Sequence, residues 1–117
     1  MQHLPHAHDE AAERLFDHMP APAEFTASAD LFGLMSDGTR IRLFWLLCHC
    51  EACLLDRSAM MDMSSPALSH HLKLLRASGL IVSRREGREV RYRAAENRKA
   101  EALHRMIEEI AEIACPE

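Results

Sequence analysis

The segment running from Met63 through Ser-Ser-Pro-Ala-Leu-Ser-His-His-Leu-Lys-Leu-Leu-Arg-Ala-Ser-Gly-Leu to Ile81 constrains the fold more than any other. Leu68, Leu72 and Leu75 recur at helical spacing and form an apolar stripe that seeks burial. Ser65 is placed to cap this helix, and Pro66 suits its first turn, where a missing N–H costs nothing. Ser69, His70 and Lys73 fall largely on the opposite side, and Gly79 ends the helix. An apolar back and a front that reaches base edges and phosphates are what a helix in a DNA major groove requires. An ordinary amphipathic surface helix would carry the same stripe, so the neighbouring segment decides.

That segment is Leu80-Ile-Val-Ser-Arg-Arg-Glu-Gly-Arg-Glu-Val-Arg-Tyr-Arg-Ala94. Two β-rich runs flank a Glu-Gly-Arg turn, the signature of a hairpin. Val90, Tyr92 and Ala94 share one face of the second run, Arg91 and Arg93 the other, and Arg84, Arg85 and Arg88 add cations near the tip. A helix-turn-helix followed by a basic hairpin is a winged helix; a merely solvated charged hairpin is the plain alternative. Charge distribution favours the former. The whole chain has a formal net charge of −4, yet residues 70–99 carry nine Lys/Arg against three acids. Residues 1–37 carry one Arg against seven acids, and residues 100–117 one Arg against five. The cations are concentrated where phosphate contacts are expected, and the acidic ends should face away from DNA.

A length of 117 residues implies one domain, mainly α with a small β-hairpin. Residues 1–22 read as a His-rich tail and short helix. Residues 23–117 read as a winged helix-turn-helix with a C-terminal dimerisation helix. Ile41-Arg-Leu-Phe-Trp-Leu-Leu-Cys48 is apolar almost all round and should be the most buried helix. A last helix from Glu96 to about residue 114 places Leu103, Met106, Ile107, Ile110 and Ile113 on one face. That face is long for a helix with little domain left to cover it, so a homodimer interface is expected there, shared with the first helix. No apolar run approaches the roughly 20 residues of a membrane span, and the N-terminus is not a signal peptide. A cytoplasmic location with no membrane partner follows. Four cysteines in such a chain read as thiols, metal ligands or redox groups rather than structural disulfides.

With this order of elements in place, the sequence resembles the ArsR/SmtB family of bacterial metal-sensing repressors over about residues 25–114. The resemblance is carried by Leu31-Phe-Gly-Leu-Met-Ser-Asp-Gly-Thr-Arg-Ile-Arg-Leu43, by Ser64-Ser-Pro-Ala-Leu-Ser-His-His-Leu-Lys-Leu-Leu75 and by Arg85-Glu-Gly-Arg-Glu-Val-Arg-Tyr92. It implies a homodimeric winged-helix repressor that binds double-stranded DNA at an inverted-repeat operator and lets go when an inducer binds. Together with the polar face of the helix, it assigns base and phosphate contacts to Ser64, Ser65, Ser69 and His70, with Lys73 on the backbone. Arg88 and Arg91 are then the wing's phosphate contacts, with Arg84, Arg85 and Arg93 behind them.

Cys48-His-Cys-Glu-Ala-Cys53 ends the buried helix just before the helix-turn-helix. Many family members carry a Cys-Val-Cys-Asp box there. Aligned on Asp56 and the His70-His71 pair, the box puts its first cysteine on Cys53 and its second on Leu55, which cannot ligate. Cys50 and Cys48 lie just upstream instead. Cys48 and Cys50 are about 200° apart if both are helical, so they share a metal only if the helix has already ended. Cys50 and Cys53 can converge either way. Thiolates favour Cd, Pb, Zn, Cu(I) or As(III) over hard cations. His3, His6, His8 and Cys115 are possible further ligands. A second site implied by the resemblance, on the last helix, falls on Glu96, Arg98, Glu109 and Glu112. Arg98 cannot ligate and the expected histidines are absent, so that zinc site is not expected here, although His104 is nearby.

Other chemistries remain in view. Cysteine is often only a small buried hydrophobe, and Cys48 continues a core helix. The same thiols suit an oxidation- or persulfide-sensing repressor. A cysteine-dependent enzyme would need a base and an oxyanion site beside its nucleophile, and beyond the adjacent His49 no such context is legible. A metal-sequestering protein would use the Cys and His but leave the Arg-rich hairpin unexplained.

Overall fold

The structure, a computed structural model, describes residues 10–113, apart from the side chains of residues 52–55. Its elements are α1 (Glu10–Asp17), α2 (Pro22–Leu34), α3 (Gly38–His49), β1 (Ala52–Cys53), α4 (Leu54–Met61), α5 (Ser65–Ala77), β2 (Ile81–Glu86), β3 (Glu89–Ala94) and α6 (Arg98–Ala111). The backbone divides into two compact units between Leu31 and Phe32, within α2. In the first, no described residue is buried, and Leu15 on α1 and Phe25 on α2 are exposed.

The second unit is built on leucines. Leu68, Leu72 and Leu75 on α5 are buried as their spacing predicts, and Leu43, Phe44 and Leu47 on α3 join them in the core. Removing several such side chains from water, each worth about 1.5–3 kcal/mol, is what holds α5 to α3. Asp37 caps α3 by accepting from the Arg40 N–H at 3.1 Å. The α5 cap lies one residue earlier than the sequence suggests: Ser64 is extended and accepts from the Ala67 N–H, while Ser65 is already helical. Pro66 still falls in the first turn, so the earlier cap costs it nothing. At the far end Gly79 takes a φ of +81°, and the Leu80 N–H bonds back to the Leu75 carbonyl at 3.1 Å. This left-handed step ends the helix and buries Leu80 against it.

The hairpin forms as expected, with β2 and β3 antiparallel and Gly87 at a φ of +64° in the turn. A strand that the sequence pattern does not announce extends the sheet. Ala52 pairs with Tyr92 and Cys53 with Arg91, giving the order β1-β3-β2. Two residues show no readable alternation, so only the pairing with β3 defines β1. Asn97 caps α6 and also donates to the Gly79 carbonyl at 2.9 Å, joining the last helix to the end of α5.

Candidate nucleic-acid interface and the cysteine–histidine cleft

The buried leucine stripe turns the other side of α5 outward. Ser69, His70 and Lys73 are exposed, as are Ser64 and Arg76, while Ser65 is half-buried. Ser65 Oγ lies 3.2 Å from Ser58 Oγ, tying α5 to α4 across the turn. The adjacent histidines divide as their positions require. His70 faces solvent, and His71 turns inward to accept from Arg40 Nε at 3.1 Å. Arg40 also donates to the Leu34 carbonyl at 2.8 Å and pairs with Asp37, so the start of α3 braces the back of α5. A groove of about 380 Å³ runs between α5 and β3, lined by Ser69, Lys73, Arg76 and Tyr92. The sequence assigns Arg76 no role and puts Tyr92 only on one face of the second strand; the packing of β3 beside α5 brings the two to this groove.

The wing arginines are less available than their number suggests. Register pairs Arg84 with Arg91 and Val82 with Arg93, so these three cations share a face. Carboxylates meet them there. Arg91 pairs with Glu86 at 3.0 Å and Glu89 at 3.3 Å, Arg84 with Glu51 and with Glu86 at 3.0 Å, and Arg93 with Glu51 and Glu96. Arg85 lies on the opposite face and Arg88 in the turn; both are exposed, and neither makes an ion pair among the described residues.

At the other end of α3 the helix stops at His49. Cys50 is its C-cap, extended at φ −152° and ψ 149°, so the helical separation of Cys48 from Cys50 no longer applies. Both cysteines line a cleft of about 350 Å³ together with His49, Glu51, Glu101 and His104. The exposed Cys50 thiol donates to the Leu46 carbonyl at 3.3 Å. The Cys53 side chain, and all of His3, His6, His8 and Cys115, lie outside the described residues. Arg57 on α4 is fully buried, and its Nη2 donates to the Cys50 carbonyl at 3.1 Å and toward the Tyr92 carbonyl at 3.5 Å. A buried guanidinium requires such acceptors, and here they join the cysteine segment, α4 and β3.

Facing α6, His49 meets a cluster that sequence reasoning does not assemble. His49 Nε2 lies 3.1 Å from His104 Nε2, and the two nitrogens lie 3.4 and 3.2 Å from Glu108 Oε2. Trp45 Nε1 donates to the same oxygen at 3.1 Å. Burial alone would push the Glu108 carboxyl up, but the Trp45 N–H and the facing His104 and His49 rings outweigh it and hold the carboxyl below its ordinary range. Spacing of four residues from Trp45 to His49 and from His104 to Glu108 is readable; that the two helices face each other is not.

Residues 37–83 match the model of the arsR family of bacterial regulatory proteins. An HTH-type transcriptional repressor SmtB of Mycobacterium tuberculosis is 31% identical over 96 residues, covering 81% of this chain and 71% of that protein. The chain belongs to the ArsR family. The resemblance carried by its helix-turn-helix and wing motifs is thereby borne out. A shorter stretch of 70 residues is 40% identical to the arsenical resistance operon repressor of Escherichia coli, covering 59% of this chain and 60% of that one. Over such stretches the chain spans little more than half the length of the relatives it matches. The ArsR-family fold also agrees with a winged helix-turn-helix DNA-binding domain from Mycobacterium bovis, at a TM-score of 0.68 and 23% identity over 80% of this chain and 91% of that one. Among the described residues, no helix is long and apolar enough to cross a membrane.

Proposed function

We propose that this chain is a DNA-binding transcriptional repressor, not an enzyme. In this reading a homodimer binds an inverted-repeat operator and is released when a thiophilic metal or metalloid ion binds Cys50 and Cys53, with Cys48. The observation that carries the DNA reading is α5, whose leucine back is buried while Ser69, His70 and Lys73 stand exposed beside the wing. Ser64 and Ser65 sit at its first turn, where their hydroxyls suit phosphate. Arg88 and Arg91 are the wing's candidates, Arg88 the stronger because Arg91 is already paired.

Dimerisation is supported by the apolar face of α6. Met106, Ile110 and Ile113 are exposed, and with Phe32 and Ile107 the first two line an apolar groove of about 350 Å³. An uncovered apolar surface of this kind marks an interface. A two-fold dimer then demands half-sites about one helical turn apart.

The exposed thiol of Cys50 and the place of Cys48 on the same cleft fit a thiophilic ion, as does the similarity to an arsenical resistance operon repressor. Cys50 and Cys53 would hold the ion, with His3, His6, His8 and Cys115 as possible further ligands, and the ion supplies a cross-link between the end of α3 and the start of α4. Cys50 must give up its proton and its bond to the Leu46 carbonyl. Arg57, bonded to the Cys50 carbonyl and reaching toward that of Tyr92, passes the displacement to α4 and the wing. Reading heads set for one half-site spacing then no longer fit both grooves. A coupling of roughly 1–3 kcal/mol is typical of such linked sites.

The test selects an operator from random duplex DNA with the wild-type protein, then adds Cd, Pb, Zn or As(III). Release of wild type but not of Cys50→Ser/Cys53→Ser is expected. Release of both by the same ion would place the sensor elsewhere, and release only by peroxide or persulfide would make the cysteines a redox switch. Ile110→Glu is expected to sediment as a monomer; an intact dimer would move the interface off α6.

A further inference from the structure

We propose that His49, His104 and Glu108 form a binding site for a borderline divalent cation of the zinc class, within one protomer and separate from the cysteines. The three facing atoms are His49 Nε2, His104 Nε2 and Glu108 Oε2, with separations of 3.1, 3.2 and 3.4 Å. A tetrahedral zinc ion with ligand bonds of about 2.05 Å has ligand–ligand edges of about 3.3 Å. The three atoms therefore mark one face of such a tetrahedron without further movement. Hydrogen bonding alone fits this triangle poorly. Each Nε2 carries either one hydrogen or one lone pair, so two ring nitrogens cannot make good bonds along all three edges. A cation at the centre uses all three donor atoms at once.

The surroundings suit an ion. Trp45 Nε1 donates to Glu108 Oε2 and fixes the carboxylate from behind, the outer-shell role that orients a metal ligand. The Trp45 ring also packs on His49, with centroids 4.6 Å apart. His49 and His104 line the cleft beside Cys48 and Cys50, which gives an ion an entry path and a water room as fourth ligand. Two imidazoles and a carboxylate select Zn, Co or Ni over As(III) or Pb, the opposite preference to a thiolate cluster. The site is also distinct from the one the family resemblance places on Glu96, Arg98, Glu109 and Glu112. It joins α3 to α6, and it stands whether or not the chain binds DNA.

Trp45 is the chain's one tryptophan, so it reports on the site directly. The experiment titrates the full chain with Zn(II), following Trp45 fluorescence and the thermal midpoint, and with Co(II), following its visible absorption. A variant with Ser at Cys48, Cys50, Cys53 and Cys115 isolates the site from thiols. Expected are a saturable Trp45 change, a raised midpoint and cobalt ligand-field bands without thiolate charge transfer, all kept in the cysteine-free variant. His104→Ala is expected to abolish them. Glu108→Gln, which keeps an acceptor for Trp45, should weaken cobalt binding at least tenfold while far-UV circular dichroism stays native. Bands that persist in folded His104→Ala, bands that vanish with the cysteines, or a wild type whose Trp45 ignores both ions would each overturn the proposal.

Discussion

Helix α5 and the wing both face where DNA is expected, but they hold their polar groups in opposite ways. On α5 the side chains of Ser69, His70 and Lys73 are exposed and held only from behind, by the buried leucines and by the Arg40–His71 bond. On the wing Arg84, Arg91 and Arg93 are already paired with Glu51, Glu86, Glu89 and Glu96. A charge count along the chain treats residues 70–99 as strongly basic, yet Glu51 comes from outside that window to neutralise two of its arginines. A group that must break an ion pair before meeting a phosphate contributes less than one that waits in solvent. On this difference the proposed base reading falls to α5. In the wing Arg88 and Arg85 at its tip, unpaired among the described residues, are expected to grip phosphate more readily than the paired Arg91.

The largest effect should come from undoing what holds α5 in place. Leu72 is 1% exposed on its buried side, and Leu72→Ala is expected to cost about 2–5 kcal/mol of stability, read by urea unfolding. A loss well under that range would mean α5 is not held by its leucine stripe. Smaller, and specific to the wing, is the contrast between its tip and its paired face. Arg85→Ala/Arg88→Ala should flatten the salt dependence of DNA binding by about one unit of slope for each phosphate no longer gripped, with Arg91→Ala changing it less. A larger change from Arg91 would show that its glutamate pairs break on binding and that the two regions are more alike than they look.

The smallest effect concerns the brace behind α5. The Arg40 N–H, outweighing the cost of burial, and the Arg40 charge hold the Asp37 carboxyl below its ordinary value. A carboxylate lowered on folding contributes above about pH 4 and loses that contribution as pH falls through its folded value. Wild type should therefore lose thermal midpoint on acidification through that window more steeply than Asp37→Asn. Parallel curves would show that the cap does not couple α3 to stability.

Much of α5 and the wing is legible because local patterns decide them: leucines three and four apart, a polar front, a Glu-Gly-Arg turn. The cap falls on Ser64 instead of Ser65 because adjacent serines compete and only backbone conformation chooses. Strand β1, the buried Arg57 and the His49–His104–Glu108 triangle are not legible. Each depends on residues far apart in sequence meeting across elements; His49 and His104 are separated by 55 positions. The cysteine segment reads as ligand-bearing from its composition, but whether Cys48 and Cys50 can share a cleft turns on where α3 stops.

The division of labour between α5 and the wing is tested most directly by the specificity ratio, the affinity for a selected operator divided by that for a scrambled duplex at matched salt. Ser69→Ala/His70→Ala should lower that ratio by about 1–3 kcal/mol for each base no longer read, roughly tenfold or more. Arg85→Ala/Arg88→Ala should weaken both affinities together and leave the ratio in place. A ratio that survives the α5 substitutions, or that collapses with the wing tip instead, would contradict the account.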